Sequence, residues 1–163
     1  MIEMKLRKLS SEAFTPERGT DHSACWDLFA LEDTEFQPGE IKLVKTGWAC
    51  EVPEGYRVNI YVRSSTPLKK GFILANSVGI VDNDYRGELM VQLMNVRNEL
   101  GRTRDIDKVS RVTAFPVANT IKRGDKIAQI EVVRDIAGEV ALTLVDTLTK
   151  TERGAGGFGS TGE

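Results

Sequence analysis

Residues 56–62 read Tyr-Arg-Val-Asn-Ile-Tyr-Val, with Val58, Ile60 and Val62 on one side of an extended chain and Arg57, Asn59 and Tyr61 on the other. Period-two alternation is the signature of a strand with one face on a core. The same period recurs at 88–94, Glu-Leu-Met-Val-Gln-Leu-Met, where Leu89, Val91 and Leu93 align. It recurs again at 139–145, where Val140, Leu142 and Leu144 predict a further strand. Upstream, residues 39–56 read as a strand, then a Pro-Glu-Gly turn, then the strand that opens at Tyr56. Phe-Gln-Pro-Gly-Glu (36–40) and Lys-Arg-Gly-Asp-Lys (122–126) are further turn signals. No segment carries a helical stripe over three turns. Ser-Ser-Thr-Pro-Leu-Lys-Lys-Gly (64–71) supports two turns at most, behind a Ser/Thr cap and a proline. The pattern predicts one all-β domain of many short strands: a sandwich, jelly roll or barrel.

The totals agree with one domain. The chain has 163 residues, 40% of them apolar and 28% charged, and a formal net charge of −2. No apolar run approaches the ~20 residues that span a bilayer, and residues 1–14 lack the apolar block and cleavage site of a signal peptide. A cytoplasmic setting without membrane association is the expectation. Cys25 and Cys50 form no CxxC pair and His22 is the sole histidine, so a Cys/His zinc site is excluded and any metal is a hard cation held by oxygen, such as Mg²⁺. The slightly negative charge argues against direct nucleic-acid binding, which needs a basic surface. Residues 97–111 hold five basic and three acidic side chains with few apolar ones. They predict an exposed loop between two strands.

Three stretches carry chemistry. In 76–89, Asn-Ser-Val-Gly-Ile-Val-Asp-Asn-Asp-Tyr-Arg-Gly-Glu-Leu, a strand runs into a hairpin-like turn bearing Asp82, Asp84 and Tyr85. Asp-Asn-Asp is common turn chemistry in its own right; a carboxylate with a free lone pair there is also placed to orient or deprotonate a water. In 62–71, Arg63, Ser64 and Ser65 follow a strand and bring a guanidinium, hydroxyls and free backbone N–H groups together as an anion seat. The C-terminal stretch 153–162 is half glycine. Glycine lets a backbone approach phosphate closely. Arg153 supplies a bidentate cation, Phe158 a flat face for a base, and Gly159, Ser160 and Thr161 a run of donors. The Walker lysine pattern is absent, which excludes a P-loop NTPase.

In order, residues 23–30, 62–71, 76–89, 123–132 and 153–162 resemble the five motifs of the trimeric dUTP pyrophosphatases, the dUTPases, over nearly the whole chain. The resemblance implies a jelly-roll-like fold and a homotrimer with sites at subunit interfaces. It also implies a glycine-rich arm, residues 151–163, that closes over a neighbour's site, while residues 1–150 form the β domain. The implied reaction converts dUTP and water to dUMP and diphosphate, with Mg²⁺ across the triphosphate. On this resemblance Asp82 activates the water and touches the sugar 3′-hydroxyl, and Tyr85 lies against the deoxyribose and leaves no room for a 2′-hydroxyl. Asn76 and the backbone around Gly79 and Val81 hold the uracil. Arg63, Ser64, Ser65 and Gln129 contact phosphates, and Asp27 holds the water shell of Mg²⁺. Arg153, Phe158, Gly159, Ser160 and Thr161 close from the arm.

The first motif departs from the family pattern, with Cys25 and Trp26 where glycine is usual before the variable position. The segment at about 97–119 is longer than usual, as in virus-encoded members, which allows a bacteriophage source. It offers a surface to a protein partner, though a passive loop explains it as well. Two other functions fit parts of the sequence. A dCTP deaminase shares the fold but needs a glutamate proton shuttle and lacks the arm. A nucleotide-switched signalling or structural β-sandwich draws only on the charged insert.

Overall fold

The computed structural model describes residues 2–104 and 110–157. In chain order it begins with β1 (Lys5–Lys8), β2 (Glu17–Arg18), β3 (Trp26–Phe29), β4 (Thr34–Phe36) and β5 (Ile41–Lys45). There follow β6 (Trp48–Glu51), β7 (Tyr56–Val62), β8 (Phe72–Leu74), β9 (Gly79–Val81) and β10 (Met90–Asn95). Last come β11 (Asn98–Arg104), β12 (Ser110–Pro116), β13 (Asn119–Ile121) and β14 (Lys126–Arg134). All pairings are antiparallel. One sheet has the order β2-β3-β14-β7-β9 and a second the order β5-β10-β8, with β1–β6, β4–β13 and β11–β12 as separate ladders. The result is an all-β architecture of short strands, as the periodicity predicts, and jelly-roll-like, as the resemblance implies.

Both sheets face one core. Leu28, Val58, Ile60 and Ile130 from the larger sheet join Val44, Phe72, Val91 and Leu93 from the smaller, each worth ~1.5–3 kcal/mol when fully buried. Phe36 and Phe72 meet edge-on with centroids 4.9 Å apart, a favoured aromatic geometry. In β10 the alternation reads out directly: Val91 and Leu93 are buried, as is Leu89 just before them. β7 departs from a simple in–out pattern because Asn59 is also buried. Its amide donates to the Tyr61 hydroxyl at 2.8 Å and its carbonyl accepts from Arg57 Nε at 3.3 Å. The polar side of this central strand is thus satisfied by its own neighbours.

Four expectations are corrected. Residues 139–145 form no strand: a 3₁₀ turn at Ala137–Glu139 is followed by chain without ladder partners. Leu142 is 97% exposed and Leu144 100% exposed. The alternation is real, but among the described residues no strand lies beside it. The charged segment is not an irregular loop, since β11 and β12 pair through seven residues each as a hairpin. Val112, Thr113 and Phe115 supply β-prone types there, and ladder hydrogen bonding needs no apolar face. The helical piece keeps within two turns as expected, five residues at Thr66–Lys70, but its N-cap Ser65 makes no side-chain capping bond. Finally, the segment after β9 is not a hairpin. β9 pairs with β7 whereas β10 pairs with β5 and β8, so residues 82–89 cross from one sheet to the other.

Candidate active site

The crossing segment is rigid because each of its parts is tied down. Tyr85 N–H donates to Asp82 O at 3.2 Å, closing a turn over Asn83 and Asp84. Arg86 Nη1 donates to the carbonyls of Asn83 at 2.5 Å and Tyr85 at 3.0 Å. At the far end Gly47 N–H donates to Glu88 Oε1 at 2.8 Å, and Leu89 N–H to Trp48 O at 2.7 Å. The turn is therefore bolted to the corner between β5 and β6. Asp82 stands exposed at its start.

Beside the turn lies a cavity of about 250 Å³ bounded by Asn76, Gly79, Val81, Asp82, Tyr85 and Glu88, with Leu43 and Ile80 among its apolar walls. Tyr85 donates its hydroxyl to Glu88 O at 3.1 Å, which lays the ring along the cavity wall. That placement depends on Gly87, where a Cβ would overlap the Tyr85 ring. Gly79 is needed for a second close approach: a Cβ there would sit 3.1 Å from Ile60 Cβ. Five residues expected to handle one substrate thus gather in one place: Asn76, Gly79, Val81, Asp82 and Tyr85.

The expected phosphate contacts gather elsewhere. Asp27 on β3 faces Gln129 on β14. Arg63 follows β7 directly, and its Nε lies 2.8 Å from Asp27 Oδ1. The other Asp27 oxygen is 3.0 Å from Lys126 Nζ. Asp27 is 7% exposed, and its two oxygens are each engaged by a cation. The Gln129 amide donates weakly to Val62 O at 3.4 Å. Ser64 and Ser65 lie next to Arg63 at the entry to the helical turn.

Strand register fixes the separation of the two groups. Val81 pairs with Val58, so Asp82 lies beside Arg57, and Arg63 comes six residues further along β7. At ~3.3 Å per residue the two backbones are about 20 Å apart. Glu54, Asp84, Asp135 and Glu139 line a depression on the far side of Asp82. The chain therefore holds a cavity bordered by a carboxylate at one end of β7 and a guanidinium followed by two serines at the other. Arg153 folds back locally, Nε donating to Gly156 O at 2.9 Å. Phe158, Gly159, Ser160 and Thr161 lie outside the described residues.

Among the described residues the donor set offers no cage for a metal: no group of three His, Cys, Asp or Glu side chains is arranged to bind one, and Asp27 is already neutralised by Arg63 and Lys126.

The dUTPase family model matches residues 11–119, two thirds of the chain. The chain belongs to the dUTPase family. The deoxyuridine 5′-triphosphate nucleotidohydrolase of Nautilia profundicola is 39% identical over 99% of this chain and 100% of its own length. That of a Hydrogenobaculum species is 36% identical over 99% of each. The dUTPase of Staphylococcus bacteriophage 80alpha, solved with dUpNHpp, superposes with a TM-score of 0.80 at 28% identity, covering 99% of both chains. A mutant dUTPase from phage phi11 of S. aureus, described for the coordination of a structural Mg(II) ion, gives 0.66 at 25% identity, over 92% of this chain and 99% of that one.

Within this dUTPase fold, three contributors escape a reading of the sequence. Gly87 shapes the site by absence, and only the position of the Tyr85 ring reveals it. Glu88 looks like the first residue of a strand but anchors the turn. Lys126 sits in a turn signal whose aim depends on the register of β14. Asp27, expected on a metal's water shell, is an ion-pair partner of two cations.

Proposed function

We propose that this chain hydrolyses dUTP to dUMP and diphosphate, as a homotrimer whose sites join parts of different copies. The observation that carries the reading is the cavity that Asp82 and Tyr85 border together. Its size and apolar walls suit a nucleoside, its wall aromatic suits a deoxyribose, and the carboxylate at its rim suits a water. Asp82 orients that water and takes its proton as the new bond to the α-phosphorus forms and the bond to diphosphate breaks. Positioning and charge neutralisation carry the remainder.

Two features support the trimer. The cations suited to phosphate lie about 20 Å from Asp82 along β7, too far for one nucleotide to meet both within a protomer. Val140, Leu142, Leu144 and Leu148 form an apolar stretch exposed in the single chain, and such a run marks an interface. Residues 139–145 have strand periodicity without a strand partner, and another copy would provide one. The arm beyond Thr151 then reaches a neighbouring site. It brings Arg153 to the phosphates, along with Phe158, Gly159, Ser160 and Thr161. Mg²⁺ enters on the triphosphate of the substrate, not on a protein cage.

A deaminase needs a free glutamate as proton shuttle. Glu88 borders the cavity, but its Oε1 accepts the Gly47 N–H, which favours hydrolysis. The test is diphosphate release from dUTP, dCTP, dTTP and UTP, with and without Mg²⁺. Release from dUTP alone is expected; ammonia from dCTP, or no release from dUTP, overturns the assignment.

Gly87→Ala supplies a narrower check on the sugar pocket. Its methyl group drives the Tyr85 ring off the cavity wall. The preference for dUTP over UTP, as the ratio of kcat/KM values, is expected to fall about tenfold, ~1.4 kcal/mol of discrimination. An unchanged ratio would mean that the ring does not read the sugar.

A further inference from the structure

The charged side chains around Asp27 form a chain of alternating sign. Glu17 Oε1 lies 2.7 Å from Lys126 Nζ, Lys126 Nζ lies 3.0 Å from Asp27 Oδ2, and Asp27 Oδ1 lies 2.8 Å from Arg63 Nε. Glu17 and Asp27 are direct cross-strand partners on β2 and β3. Lys126 also lies over the Phe29 ring, 5.5 Å from its centroid. Its ammonium pKa is raised, chiefly by its bonds to Glu17 and Asp27, which keeps it charged at neutral pH.

The register of β14 accounts for Lys126 being there. Gln129 faces Asp27 and Ala128 faces Leu28, so unbroken pairing would set Ile127 opposite Phe29. Lys126 would then fall opposite Ala30, on the other face from Asp27. Instead the ladder slips between Lys126 and Ala128, and Lys126 faces Phe29. A one-residue slip turns a side chain to the opposite face of a sheet, and bulges re-aim side chains next to sites. This one brings Lys126 to the side of Asp27 and Phe29 while Ile127 stays fully buried in the core.

We infer that Lys126 is a positioning residue for phosphate recognition, holding Asp27 so that Asp27 fixes the guanidinium of Arg63. The inference rests on reading Arg63 as a phosphate contact. With Nε turned to Asp27, the two terminal nitrogens of Arg63 form the outward edge, and its side chain makes no other ion pair or hydrogen bond among the described residues. A guanidinium held by one edge presents the other as a ready fork for two phosphate oxygens. Lys126 balances the second oxygen of Asp27, so that carboxylate stays in one rotamer instead of turning both oxygens to Arg63. Asp27 thereby serves to align a side chain. Glu17 is the outermost member and is more than half exposed, so its influence is smaller and screened by solvent.

The test compares calorimetric affinities for dUpNHpp and dUMP in the full-length chain and in Lys126→Met, Lys126→Arg and Glu17→Gln. Lys126→Met is expected to weaken dUpNHpp about tenfold or more and dUMP less than about twofold, since dUMP lacks the outer phosphates. Lys126→Arg is expected to restore dUpNHpp binding to within about threefold of the parent, because it keeps the charge. Glu17→Gln, on an exposed two-residue strand where folding is not at stake, is expected to weaken dUpNHpp about two- to threefold at low salt. Equal losses for both ligands in Lys126→Met, or no loss for dUpNHpp in either neutral variant, overturn the inference and make Lys126 structural. A parent chain that binds neither nucleotide instead overturns the assigned function, and is recognised before any variant is compared.

Discussion

Asp82→Asn is expected to lower kcat for dUTP by about a thousandfold while leaving the dissociation constant for dUpNHpp within about threefold of the parent. A positioned carboxylate base is worth ~10²–10⁴ in rate, and a thousandfold corresponds to about 4 kcal/mol in the barrier. Asparagine matches aspartate in shape and still accepts a hydrogen bond through its carbonyl, so the Tyr85-to-Asp82 backbone turn and the cavity wall are retained. It cannot take a proton from water. Single-turnover kinetics measures the first quantity and calorimetry the second. If affinity and turnover fell in parallel, Asp82 would be a structural residue of the turn and the chemistry would have to be sought elsewhere.

The second large effect is expected from charges placed in the apolar run after the 3₁₀ turn. Leu142→Asp combined with Leu144→Asp alters two side chains that are almost wholly exposed in one chain, so the β core should fold with an unchanged circular dichroism spectrum. If those leucines are buried in the assembly, each contributes ~1.5–3 kcal/mol per copy, and carboxylates in their place add a desolvation cost. The expected mass by sedimentation falls from that of three chains to that of one, 18.0 kDa. Diphosphate release falls below detection with it. A variant that remained trimeric and active would show that the run is an ordinary tail.

How far the sequence could be read follows from what each signal depends on. The core strands were legible because burial is periodic, as Leu89, Val91 and Leu93 illustrate. The cavity group was legible because its members are neighbours in sequence: one turn delivers Asp82 and Tyr85, and the strand before it delivers Gly79 and Val81. The period at 139–145 was read as a strand, yet a strand needs a partner, and the described residues provide none. The pairing of β11 with β12 was missed because the charged sequence of 97–111 carries little apolar pattern. The ion pairs of Asp27 were not legible because neither the slip in β14 nor the arrival of Lys126 beside it is written in residue types.

The length of β7 has a consequence for populations of molecules. On the proposed reading it parts the end that activates water from the end that grips phosphate, so a chain crippled at one end still carries a sound copy of the other. Asp82→Asn and Arg63→Gln chains, each inert when purified alone, should therefore complement when unfolded together and reassembled. In such hybrids some junctions pair an intact half from each parent, and activity returns in proportion to their number. Strictly self-contained protomers would stay dead in every mixture.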